Sequence, residues 1–185
     1  MRSSYTQNEY SVFFTSLSVM TKANLIVELG VLDGYSLLSF ARGISKNGKV
    51  IGIDLFEDYQ FKHSTVDNVL DKIYDEYLQQ KIELRKKDAF AAVNDFENDS
   101  IDILHVDISN DGTNLSTIFD LWTEKVKKDG LILFEGGSEE RDNVEWMKKY
   151  NKKPINDFKK ELNSRGFEFI TLVPFPSVTV CRKTK

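Results

Sequence analysis

The stretch Ile26 to Arg42, IVELGVLDGYSLLSFAR, sets two glycines, two carboxylates and two serines close together. Gly30 and Gly34 let the backbone bend sharply and let a ligand approach without meeting a side chain. Glu28 and Asp33 would repel an anionic pyrophosphate and would welcome a cationic ligand. The glycines are also not spaced as G-x-G-x-x-G, so a dinucleotide loop is disfavoured. Ser36 opens the following helix, either as a donor to a ligand carboxylate or as an ordinary first-turn hydroxyl.

Further acids close later apolar runs. Asp54 ends KVIGID, Asp88 follows LRKK with Ala89 and Phe90 beside it, Asp107 ends IDILHVD and Glu135 ends LILFE. Asp111 follows Asp107 in a polar loop. Only two histidines are available as bases. His63 lies in a polar loop after Asp54, whereas His105 lies inside an apolar run, where a hydrogen-bonded core role competes with catalysis.

Positioning these groups requires strands that alternate with helices. Asn24 to Glu28, Lys49 to Asp54, Ile82 to Lys86, Ile101 to Asp107 and Leu131 to Glu135 read as strands, several apolar almost throughout. Such strands are covered on both faces, as in a parallel sheet. Helices are predicted over Glu9 to Thr21, Tyr35 to Ser45, Thr65 to Gln80, Asn114 to Lys127 and Ile155 to Ser164. In the fourth of these Leu115, Ile118, Phe119, Trp122 and Val126 recur at helical spacing. Phe167 to Val173 and Val178 to Arg182 are joined too tightly for a parallel crossover and should form an antiparallel hairpin at the sheet edge. The expectation is an α/β domain spanning 1–185, with residues 1–22 as an N-terminal helical extension and a seven-stranded, mostly parallel sheet carrying helices on both faces.

The 185 residues suffice for one domain, with 41% hydrophobic and 29% charged content. A net charge of -4 gives no basic field for nucleic acid. The single cysteine, Cys181, cannot form an internal disulfide. With no apolar run of membrane-spanning length and no signal-like start, a cytoplasmic location is expected. The segment 136–154, GGSEERDNVEWMKKYNKKP, is long for a strand-to-helix link and is a candidate substrate lid containing Arg141, Trp146, Met147 and Tyr150. Its lysines could equally be a solvated face.

Glu28-x-Gly30-x-x-x-Gly34 resembles the E/D-x-G-x-x-x-G motif of class I S-adenosylmethionine-dependent methyltransferases, and the Ile103 to Gly137 stretch is similar to the small sugar and natural-product O-methyltransferases. The resemblance implies a Rossmann-like fold and S-adenosylmethionine as cofactor, held by Glu28, Gly30, Gly34, Ser36, Asp54, Asp88, Ala89 and Asp107. In that reading Asp54 accepts from the ribose hydroxyls and Asp88 from the adenine edge. Asp107, Asp111 and His63 become the catalytic candidates. Where such relatives often carry a loop histidine, this chain has Asn110. Mg²⁺ is a candidate second cofactor, with Asp107 and Glu135 as metal ligands, although Glu135 equally suits a metal-free role. The implied reaction methylates a hydroxyl of a small polar metabolite, with neither nucleic acid nor membrane as partner and a homo-oligomer left open. A non-catalytic cofactor- or partner-binding module on the same fold is the alternative, and a nicotinamide-dependent oxidoreductase is a third reading.

Overall fold

The computed structural model describes residues 3–60, 64–173 and 175–185. Its strands are β1 (Leu25–Leu29), β2 (Lys49–Asp54), β3 (Ile82–Lys86), β4 (Ile101–Val106), β5 (Val126–Glu135), β6 (Phe167–Leu172) and β7 (Val178–Lys183). They follow the order β3-β2-β1-β4-β5-β7-β6. The first three pair in parallel, as do β4 and β5, whereas β7 runs antiparallel to both β5 and β6. The expected mostly parallel sheet with a terminal antiparallel pair is therefore present. The chain gathers into two compact units, Met1–Asn94 and Asp95–Lys185.

In the first unit, Ile26, Val27 and Leu29 of β1 are fully buried, which explains why that strand is apolar at every position but Glu28. Helix α1 (Tyr10–Thr21) packs on α2 (Tyr35–Gly43) through Phe14 and Phe40, whose rings lie 4.8 Å apart. A side chain at Gly43 would collide with the Thr15 carbonyl, so only glycine allows this approach. Thr15 Oγ1 also donates to the Ser39 carbonyl at 2.8 Å. In the N-terminal helical region Tyr5 and Phe14 are fully buried. Helix α3 (Val66–Asp75) starts at Thr65, whose Oγ1 accepts from Asn68 N, and is shorter than predicted. Tyr77, at φ +57°, lies beyond its end in the left-handed region.

The second unit holds α4 (Gly112–Trp122), α5 (Glu139–Asp142), α6 (Glu145–Lys149) and α7 (Ile155–Lys159). Leu115, Ile118, Phe119 and Trp122 are buried as their spacing predicts. Val126 is not the last turn of that helix but the first residue of β5, paired with Ile101. A buried β-branched side chain satisfies either period, and here the sheet wins. The β4/β5 register shifts just after this pair, and Asp129 at φ +61° turns the chain within β5 before pairing resumes at Leu131. Helix α7 stops five residues before the predicted end at Ser164, and turns carry the chain to Gly166 at φ +86°. Among the described residues no helix is long and apolar enough to cross a membrane.

Candidate functional site

In the first unit the turn from β1 to α2 carries Gly30 at φ +89° and Gly34 at φ +82°, both in a region that strains any residue with a side chain. Leu32 accepts that strain at φ +50°. Three contacts hold the turn. Gly30 N donates to the Ile53 carbonyl at 2.8 Å, fixing the turn to the end of β2. Asp54 Oδ2 accepts from Val31 N at 2.6 Å and Leu32 N at 3.1 Å, while Oδ1 accepts from Phe56 N at 2.8 Å. Beneath the turn the fully buried Glu28 accepts a hydrogen bond from Ser36 Oγ.

Asp54, expected to face ribose hydroxyls, thus spends most of its acceptor capacity on backbone N–H groups. A carboxylate has about four lone-pair positions, and backbone N–H groups take at least three of them. Ser36 donates to Glu28 in this state. Asp33 is accompanied by Lys72, which donates to its carbonyl at 2.6 Å and places Nζ 3.5 Å from Oδ2. Of the two loop carboxylates credited with favouring a cation, Asp33 thus already has an ammonium beside it. Asp88 is exposed, its Oδ1 accepting from Phe90 N and Ala91 N, with Ala89 half-buried and the Phe90 ring exposed beside it. His63 lies outside the described residues.

In the second unit, Asp107 follows β4 and is half-buried. His105 is fully buried inside β4 and opposite Leu133. Asn110 is fully buried, and its Nδ2 donates to the carbonyls of Val106 and Glu135 at 2.9 and 3.0 Å, tying together the ends of two parallel strands. Asp111 caps α4 by accepting from Thr113 N and Asn114 N, while its other oxygen lies 3.1 Å from Lys152 Nζ. Glu135 is gripped by Arg141, whose Nε lies 2.8 and 2.7 Å from the two carboxylate oxygens. Burial pushes the Glu135 carboxyl above its ordinary value, with Arg141 opposing that rise.

The candidate lid is anchored at several points. Gly136 N donates to the Ser177 carbonyl, Arg141 is buried, and Asp142 accepts from Ile155 N at 2.7 Å and Asn156 N at 3.0 Å. Outside these anchors, Glu145, Trp146, Lys149 and Tyr150 line a shallow depression of about 410 Å³.

Comparison with known families decides the assignment. A family model described as a methyltransferase domain matches residues 27–135, from the core of β1 through the end of β5. The chain belongs to this methyltransferase family. Among curated relatives, a probable caffeoyl-CoA O-methyltransferase 3 of Dictyostelium discoideum is 27% identical, over 70% of this chain and 50% of its own length. The chain therefore spans about half of that relative. Caffeoyl-CoA O-methyltransferase 2 of Populus trichocarpa is 28% identical, over 94% of this chain and 72% of its own. Among solved structures, an O-methyltransferase from Bacillus cereus in complex with SAH superposes with a TM-score of 0.74, at 18% identity, over 99% of this chain and 83% of that one. The chain thus has the expected fold and belongs to the expected kind of family.

No group of three His, Cys, Asp or Glu side chains among the described residues could hold a metal ion. Glu135 is committed to a guanidinium and Asp111 to a helix cap and an ammonium, so neither offers a cation an open carboxylate. The sequence reading placed Arg141 in a lid and missed it as the partner of Glu135. The available signal was Gly136-Gly137, at φ +112° and +101°, which folds the chain back on the strand end.

Proposed function

We propose that the chain binds S-adenosylmethionine at the β1 to α2 turn and transfers its methyl group to a hydroxyl of a small polar metabolite. The observation that carries this reading is the glycine turn itself, with Glu28 and Ser36 beneath it and Asp54 clamping its N–H groups. A rigid turn with little side-chain bulk and a buried carboxylate nearby suits a positively charged, zwitterionic ligand. An anionic phosphate would need the N–H groups that Asp54 has taken.

The cofactor would supply an electrophilic methyl carbon that leaves sulfur for the acceptor oxygen in one in-line displacement. The chain's task is then to orient the acceptor, exclude water and receive the hydroxyl proton. Gly30 and Gly34 keep side chains out of the turn. Asp54 stiffens the turn by accepting from Val31 N and Leu32 N. Asp88, whose Oδ2 has no hydrogen bond among the described residues, suits an exocyclic amine, with the Phe90 ring offering a face for a base. Asp107 is the favoured proton acceptor, because Asp111 is occupied by its cap and its lysine. A small acceptor agrees with the net charge of -4, which gives no attraction for nucleic acid.

A second reading, cofactor binding without turnover, is favoured by one observation: Asn110, standing where relatives often have a base, uses its amide to tie two strand ends. Calorimetric titration with S-adenosylmethionine and S-adenosylhomocysteine tests the cofactor half. Saturable heat with either supports it, and no heat from folded protein removes it. Transfer of a labelled methyl group across a panel of hydroxyl acceptors separates an enzyme from a binding module.

A further inference from the structure

We infer that the end of β5 is a guanidinium-centred site, in which Arg141 is a permanent organic cation where a divalent ion would otherwise be needed, and in which the open hydrogen-bonding positions suit a hydroxyl. Glu135 and Arg141 are 8% and 5% exposed, so their pairing is shielded from water and is not a surface ion pair. Nε spans both carboxylate oxygens, Nη2 donates to the Asn110 carbonyl at 3.0 Å, and the Trp146 ring covers the guanidinium with its centroid 4.9 Å from Cζ. A divalent ion reaching Glu135 would have to displace this cation or lie against it.

The unused valences point the same way. Arg141 Nη1 and Asn110 Oδ1 are buried and make no hydrogen bond. The amide orientation is secure, because turning Asn110 over would set its oxygen against the carbonyls of Val106 and Glu135. One open donor and one open acceptor complement a group that both accepts and donates, which a hydroxyl or a water does and a metal ion does not. The guanidinium charge also repels a metal cation. The guanidinium would take over what a metal does for an acceptor, fixing its oxygen and favouring its negative charge as the proton leaves. That last role rests on the methyl-transfer reading, whereas the exclusion of the metal does not.

Titrating the wild-type protein with Mn²⁺, followed by paramagnetic resonance of the free ion, tests the exclusion without any substrate. The expected result is no saturable site. Saturable binding that Glu135→Gln abolishes would overturn the inference. Arg141→Met should uncover Glu135 and create Mn²⁺ binding that the parent lacks; a folded variant that stays inert to Mn²⁺ counts against the inference. Should that variant not fold, the wild-type titration decides alone. The hydroxyl position is read from a high-resolution crystal structure. One ordered oxygen should lie within hydrogen-bonding distance of both Arg141 Nη1 and Asn110 Oδ1, and its absence would refute that part. Titration with S-adenosylhomocysteine on the same samples shows separately whether the cofactor reading holds.

Discussion

Asp54 Oδ2 lies 2.6 Å from Val31 N, so the acid that ends β2 holds the turn that ends β1. The same oxygen takes Leu32 N, and its partner oxygen takes Phe56 N. Asp54→Ala should leave these donors without their acceptor and cost about 1–3 kcal/mol of stability. The check is urea unfolding, with the midpoint lowered at an unchanged slope. Affinity for S-adenosylhomocysteine should fall as well. Intact stability with reduced affinity would mean that the carboxylate serves only the ligand.

Gly34 begins α2 at φ +82°, and a Cβ there would stand 3.2 Å from Val69 Cγ1. Gly34→Ala should therefore cost about 1–2 kcal/mol from backbone strain, before any contact is counted. Thermal unfolding by circular dichroism reports the loss. An unchanged midpoint would show that the turn relaxes freely.

Phe14 is fully buried and touches Tyr5, Tyr10, Phe13 and Phe40. Phe14→Ala should destabilise by about 3–5 kcal/mol, as expected for emptying a core position. A loss below about 1 kcal/mol on denaturation would show that α1 contributes little to the core.

Removing one member of the Glu135 and Arg141 pair leaves a buried charge alone. Arg141→Met should cost about 3–5 kcal/mol, whereas Glu135→Leu combined with Arg141→Met should recover much of that loss. The comparison is made by guanidinium unfolding of both single variants and the double variant. Additive losses would show that the two side chains do not depend on each other.

Burial pushes the Cys181 thiol well above its ordinary value, with Lys159 only partly opposing the rise. The folded chain holds this proton more tightly than the unfolded chain does. The stability so gained is complete below the ordinary thiol range and is lost as pH rises beyond it toward the folded value. Native protein at pH 8 should react negligibly with a disulfide reagent and yield one thiol per chain when denatured. Fast native labelling would contradict the burial.

Local rules reach far in this chain. The apolar runs of β1, β2 and β4, the left-handed glycines of the turn and the antiparallel pair at the end are consequences of residue type and near neighbours, so the sequence alone determines the architecture and marks the turn proposed to hold the cofactor. Boundaries slipped where a residue suits two structures. Val126 has the helical spacing of α4, but its pairing with Ile101 puts it in β5. The site divides in the same way. Which acids end strands is written in the order of residues. Which of those acids are free is not, because a carboxylate's partner can come from anywhere in space. Asp54 meets a turn more than twenty positions earlier, Asp111 meets Lys152, and Glu135 meets a guanidinium folded back by two glycines. Only the tertiary structure brings those donors within hydrogen-bonding distance, and with them it decides that the strand-end acid of β5 holds an arginine.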